Sequence, residues 1–128
     1  MKNMKFRGKK NGSWIYGQYQ EVEGHAFIID NGNRHEIEAD SVGKFTGVYD
    51  YQGNEVYEGD IIKMPASDFN AEIIGQVIIY NSQFVLKSRW SDAKWDLEYV
   101  FREVFPNTPT AEIIGNTTDT PDLLLTFQ

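Results

Sequence analysis

Asp50, Glu55, Glu58 and Asp60 crowd into one short segment, close enough to act as general acid and base or to hold a hard cation. The residues around them point to a plainer role. In YDYQGNEVYEGDII the carboxylates are interleaved with glycines and amides. An aspartate that bonds nearby backbone amides, followed by a glycine with positive φ, is what reverses a chain into a strand. The spacing also departs from the calcium-loop pattern of alternating oxygen ligands closed by glutamate. The expectation is two tight turns, at Asp50 to Asn54 and at Glu58 to Asp60, with no catalytic, cofactor-binding or metal-binding residue.

The other reactive side chains offer little chemistry. His25 and His35 flank a reversal at Asp30 to Asn33. If that hairpin is centred between Asn31 and Gly32, His25 faces Glu38 and His35 faces Ile28, so the two imidazoles stay apart and make no metal site. Ser13, Ser41, Ser67, Ser82, Ser88 and Ser91 lack the glycine frame of a nucleophile elbow, and no phosphate-binding glycine loop is present. There is no cysteine, which excludes disulfide frameworks, thiolate metal sites and cysteine nucleophiles, and is compatible with a reducing interior. Cytoplasm is the default reading, because the longest apolar runs are too short to span a bilayer and residues 1–7 lead into no apolar signal core. Together these features predict a non-enzymatic protein without cofactors.

Charge narrows the partners. The net charge is −7, yet Lys2, Lys5, Arg7, Lys9 and Lys10 supply five of the twelve basic residues, so the rest of the chain sets seven bases against nineteen acids. An acidic body repels phosphate backbones, which disfavours nucleic acid there. Direct contact with nucleic acid would have to use the basic N-terminal arm, which otherwise reads as a solvated first strand or frayed terminus. Mimicry of DNA by the acidic body, occupying a nucleic-acid-binding host protein, is the other nucleic-acid-related reading.

The elements that must position these residues are mostly strands. Ser13 to Val22, His25 to Asp30 and His35 to Ala39 form a meander, with Ile37 facing inward and the burial face of the first strand open. Phe45 to Val48, Glu55 to Tyr57 and Ile61 to Met64 follow, then an exposed loop at Pro65 to Asn70. Glu72 to Tyr80 and Gln83 to Ser88 form a hairpin around Asn81-Ser82, with Ile73, Val77 and Ile79 set against Phe84 and Leu86. Leu97, Val100, Phe101 and Val104 recur at helical spacing, which predicts a helix from about Asp92 to Phe105 capped by Ser91 or Asp92 and stopped by Pro106. Trp95, Tyr99 and Phe105 lie off that stripe. Glu112 to Gly115 is a further strand, and Thr120-Pro121-Asp122 opens a last turn or short helix. The fold class is mainly β, with α+β as the alternative: a small twisted sheet or an SH3-like partly open barrel, with an N-terminal β-meander and one short C-terminal helix. One domain over residues 1–128 is expected, divisible into an N-terminal β subdomain of about 1–44 and a barrel-like part of about 45–128.

MKFRG near the start, TGVYDYQGNEVYEGDII in the middle and EIIGNTTDTPDLL at the end resemble, in order and spacing, three blocks of the YopX family of phage and prophage proteins. The resemblance covers nearly the whole chain, and the middle block is its most specific part. It implies a small β-rich protein of bacteriophages and mobile elements, with no biochemical activity attached. Thr46, Gly47, Asp50, Gly53, Gly59, Asp60, Gly115 and Asn116 match residue by residue, as structural positions. The region Trp90 to Phe105 carries no family pattern, which makes Trp90, Trp95 and Tyr99 the candidates for contact with a partner: an unknown host or phage protein, or a second copy of this chain. Aromatic residues in a small β-rich chain otherwise fill its core.

Overall fold

In the computed structural model, which describes residues 4–65, 71–101 and 110–125, the chain divides into two compact units, Met1–Phe45 and Thr46–Gln128. Two-residue turns build the first. β1 (Phe6–Lys10), β2 (Ser13–Val22), β3 (His25–Asp30) and β4 (Asn33–Glu36) are joined by Asn11–Gly12, Glu23–Gly24 and Asn31–Gly32. In each pair both residues have φ between 49° and 82°. Such turns match the right-handed twist of antiparallel strands and demand residues that tolerate positive φ.

The strands pair in the order β4-β3-β2-β1, followed by the start of β5 (Gly43–Tyr49), whose Gly43 and Lys44 face Arg7 and Phe6. β2 changes partner at its midpoint, residues 13–17 pairing with β1 and residues 18–22 with β3. Beyond β4 the Ile37 N–H donates to Ala26 O (3.0 Å) and the Glu38 N–H to Lys9 O (2.8 Å), so this segment bridges β3 and β1 and curls the sheet. Ala26, Ile28 and Ile37 fill the curl, with Phe6, Ile15, Tyr19 and Val42 against them. That settles the face of β2: Ile15 and Tyr19 point inward.

The N-terminal basic stretch is not a solvated arm in its described part. Residues 6–10 are an interior strand, and Arg7 is only 7% exposed, its guanidinium carbon 4.4 Å from the Trp14 ring centre. Pairing on both sides explains this, because β2 and β5 together satisfy the backbone that a frayed terminus would leave to water.

In the second unit the later part of β5 pairs with β6 (Glu55–Tyr57). β7 (Asp60–Pro65), β8 (Glu72–Tyr80), β9 (Gln83–Ser88), β10 (Lys94–Asp96) and β11 (Glu112–Asn116) form an antiparallel sheet in the order β10-β9-β8-β7-β11. Val77 faces Leu86 and Ile79 faces Phe84, as the alternation predicts, while Ile73 faces Met64. Val56, Ile62, Met64, Val77, Leu86, Leu97, Val100 and Ala111 make the core. The protein is mainly β, built from antiparallel sheets, and no barrel closes among the described residues.

The expected helix is much shorter than its periodicity suggests. Residues 94–96 are strand, with Lys94, Trp95 and Asp96 opposite Lys87, Leu86 and Val85, and among the described residues of the segment only Leu97–Val100 (α1) is helical. The edge of β9 offers backbone partners to residues 94–96 and lets Trp95 pack on the core, a gain that helix propensity does not match. Leu97 and Val100 are buried as the stripe requires. Ser91 caps no helix; its hydroxyl accepts from the Ala93 N–H. Of the loop expected at Pro65 to Asn70, Pro65 ends β7 and residues 66–70, like residues 102–105, lie outside the described residues.

The β8–β9 hairpin turns on Asn81–Ser82, with φ of 51° and 64°. Ser82 holds a conformation that costs an L-residue and not glycine, so Ser82→Gly should stabilise the fold by about 0.5–1 kcal/mol, read as a raised denaturant midpoint with unchanged m-value.

Candidate functional site

The middle and final motif blocks, far apart in sequence, meet across β7 and β11. Asp60 pairs with Asn116 and Ile61 with Gly115, a register shift between Ile113 and Gly115 marking a bulge. Gly59 ties the junction further: its N–H donates to Val77 O (3.0 Å), and its carbonyl accepts from the Thr117 N–H (2.8 Å).

Two of the four carboxylates, Asp50 and Asp60, are occupied by backbone amides. Asp50 Oδ1 accepts from the Gln52 N–H (3.0 Å) and the Asn54 N–H (2.7 Å), and Asp50 Oδ2 from Asn54 Nδ2 (2.9 Å). Gly53 completes that turn with φ of 87°. Asp60, 2% exposed, accepts the Tyr57 N–H at 2.7 Å across the Glu58–Gly59 turn. Glu55 accepts from the Tyr57 hydroxyl (2.9 Å). Asn116 Oδ1 accepts from the Thr118 and Asp119 N–H groups, at 3.0 and 2.7 Å. Thr46 Oγ1 donates to Val56 O (2.7 Å) and accepts from the Val48 N–H, spanning Gly47, which has φ of 81°. These are the bonds of turns and caps; the arrangement holds strand ends together.

The histidines are separate. His35 faces Ile28 and lies 3.0 Å from Lys10 Nζ through its Nδ1. His25 meets Glu36 (2.8 Å) and not Glu38, because Glu38 turns away to bond Lys9. Among the described residues no three His, Asp or Glu side chains gather as metal ligands.

The aromatic candidates part company. Trp95 is half-buried against the core. Trp90, in the loop after β9, is 58% exposed and Tyr99, on α1, is 59% exposed. Tyr80 and Ile79, at the end of β8, are also exposed, with Lys94 Nζ 4.4 Å from the Tyr80 ring centre. The alternation of β8 sets Ile79 inward against Phe84, yet Ile79 is 48% exposed. In the first unit, Met4, Lys5, Gln18, Ile29, Asp30 and Asn31 line an open groove of about 490 Å³ that mixes both charges with amides.

One ion pair ties β7 to β11: Lys63 Nζ lies 3.0 Å from Glu112 Oε1. The bond to Glu112, with Glu72 and Glu112 charges nearby, raises the Lys63 ammonium above its ordinary value of 10.5. A raised folded value means the contribution is fully present below pH 10.5 and lost as pH climbs through the folded value. Lys63→Met should therefore leave the pH dependence of stability unchanged at neutral pH and flatten it only in the alkaline limb.

A family model described as YopX protein matches residues 2–125. Among solved structures, protein yopX from Bacillus subtilis is 15% identical, with 99% of this chain and 100% of that chain covered at a TM-score of 0.60. Protein EF1440 from Enterococcus faecalis is 19% identical, with 95% and 98% covered at a TM-score of 0.58. These likenesses concern the fold. A search of curated proteins returns no match.

Proposed function

We propose, from the premise that this chain belongs to the YopX family, that it is a non-enzymatic protein-binding module of a phage or prophage, acting in the host cytoplasm. The exposure of Trp90 and Tyr99 on an acidic unit carries the reading. Exposed tryptophan and tyrosine give large contact area at low entropic cost and dominate protein interfaces. The unit that bears them holds five Lys and Arg against thirteen Asp and Glu, whereas the first holds seven against six. Phosphate backbones would be repelled from such a surface, which favours a protein partner, a second copy of the chain included. The engagement of Asp50 and Asp60 by backbone amides supports a non-catalytic role.

The test places a photo-crosslinking residue at position 90 or 99 in host cells and measures the oligomeric state by light scattering. A discrete adduct at one of these positions, absent when the crosslinker replaces exposed Gln83, is the expected result. Trp90→Ala should then weaken the identified complex about tenfold or more with the melting temperature unchanged. A monomer that crosslinks to nothing at either position would overturn the reading.

A further inference from the structure

The C-terminal 3₁₀ turn Pro121–Leu124 lies against the second sheet at Gly115, on the face opposite its core, and among the described residues one arginine, Arg89, bonds its carbonyls from another element. Gly115, Ile61, Gln76 and Lys87 are cross-strand partners in turn and so share a face. Leu123 covers that face at Gly115, where a β-carbon would come within 2.9 Å of Leu123 Cδ1. No residue of the 3₁₀ turn is itself buried. Its internal bonds are few: Leu123 N–H to Thr120 O (3.1 Å) and Leu125 N–H to Asp122 O (3.0 Å). Arg89, which follows β9, reaches across to it, Nη1 donating to Leu123 O (2.8 Å) and, at longer range, to Leu125 O (3.4 Å).

The same contact is costly. Arg89 Nε is buried and finds no acceptor among the described residues, so the closed arrangement strips water from a charged group without fully replacing it. A short segment with no fully buried side chain, bonded by a guanidinium that gives up hydration, has the low local contact that local opening requires.

We propose that Pro121–Leu125 is a strap, latched by Arg89, that opens independently of the sheet and uncovers the outer face at Gly115. Arg89 is the latch because, among the described residues, it is the side chain that bonds the strap's carbonyls from another element. Opening returns water to its Nε and leaves the β7–β8–β9 ladders intact.

Hydrogen exchange on the full-length chain tests this. In the wild type, the amides of Leu123 and Leu125 should exchange by an opening insensitive to low denaturant, while β8 and β9 amides exchange only through global unfolding. Arg89→Met, which keeps the bulk and removes the donors, should speed the two strap amides about tenfold and leave β8 and β9 protection unchanged. Leu123→Ala, which removes the contact on Gly115, should do the same and serves if Arg89→Met does not fold. Strap amides that share the protection and denaturant slope of β8 in the wild type, or are unmoved by both substitutions, would overturn the proposal.

Discussion

Gly75→Ala should lower stability by about 3 kcal/mol, a fall in Tm of roughly 10 °C. A β-carbon at Gly75 would collide with the backbone carbonyl oxygen of Lys87 and crowd Leu86 Cγ at 3.2 Å. Gly75 lies on β8 opposite Ser88, beside the fully buried Leu86, so neither strand can retreat without opening the ladder that carries the core. Gly17→Ala places the same demand on the first unit, against the carbonyl of Ile29. Glycine at these positions is required by close approach of backbone, since neither has positive φ. Thermal unfolding by circular dichroism checks both substitutions. Gly12→Ala, whose β-carbon meets nothing within 4 Å, is the control: it pays only for its positive φ and should cost about 1 kcal/mol.

Asp60→Ala should cost about 3 kcal/mol, because it leaves the buried Tyr57 N–H with no acceptor and removes a charge-assisted bond. Asp60→Asn keeps an acceptor of the same shape and should recover about half of the loss. This ordering separates a turn residue from a catalytic one. A carboxylate retained for chemistry would lose its activity on conversion to the amide while Tm stayed level. A carboxylate retained for the turn shows graded loss of stability from Asp to Asn to Ala, and a denaturant titration of the three chains reads it. Equal stability in all three would show that Tyr57 is satisfied by another route.

Asp60 also shows where sequence reading stopped. Its place in the second turn was legible, because glycine beside an acidic residue marks a reversal whose carboxylate can bond a backbone amide a few residues away. Its pairing with Asn116 was not, since nothing local links residues so far apart. The strands at Ser13–Val22, His25–Asp30, Glu72–Tyr80 and Gln83–Ser88 were legible for the same local reason: the turns that join them, at 23–24 and 81–82, are made by two residues at positive φ. The segment 94–96 was misread because its helical spacing is real, yet the vacant edge of β9, visible only once the sheet exists, captures it first.

For the aromatic candidates the division falls the same way. Residue type placed Trp90, Trp95 and Tyr99 in one unpatterned region, but only packing sent Trp95 to the core and left Trp90 and Tyr99 outside. Sequence by itself determined the turns, most strand limits and the family, because these rest on short-range backbone preferences written in a few adjacent residues. Tertiary structure decided which face is covered, that the basic stretch at residues 6–10 is an interior strand, and that Arg89 holds the C-terminal turn. Those depend on contacts between distant segments, whose strength comes from water excluded at both surfaces together and is carried by neither alone.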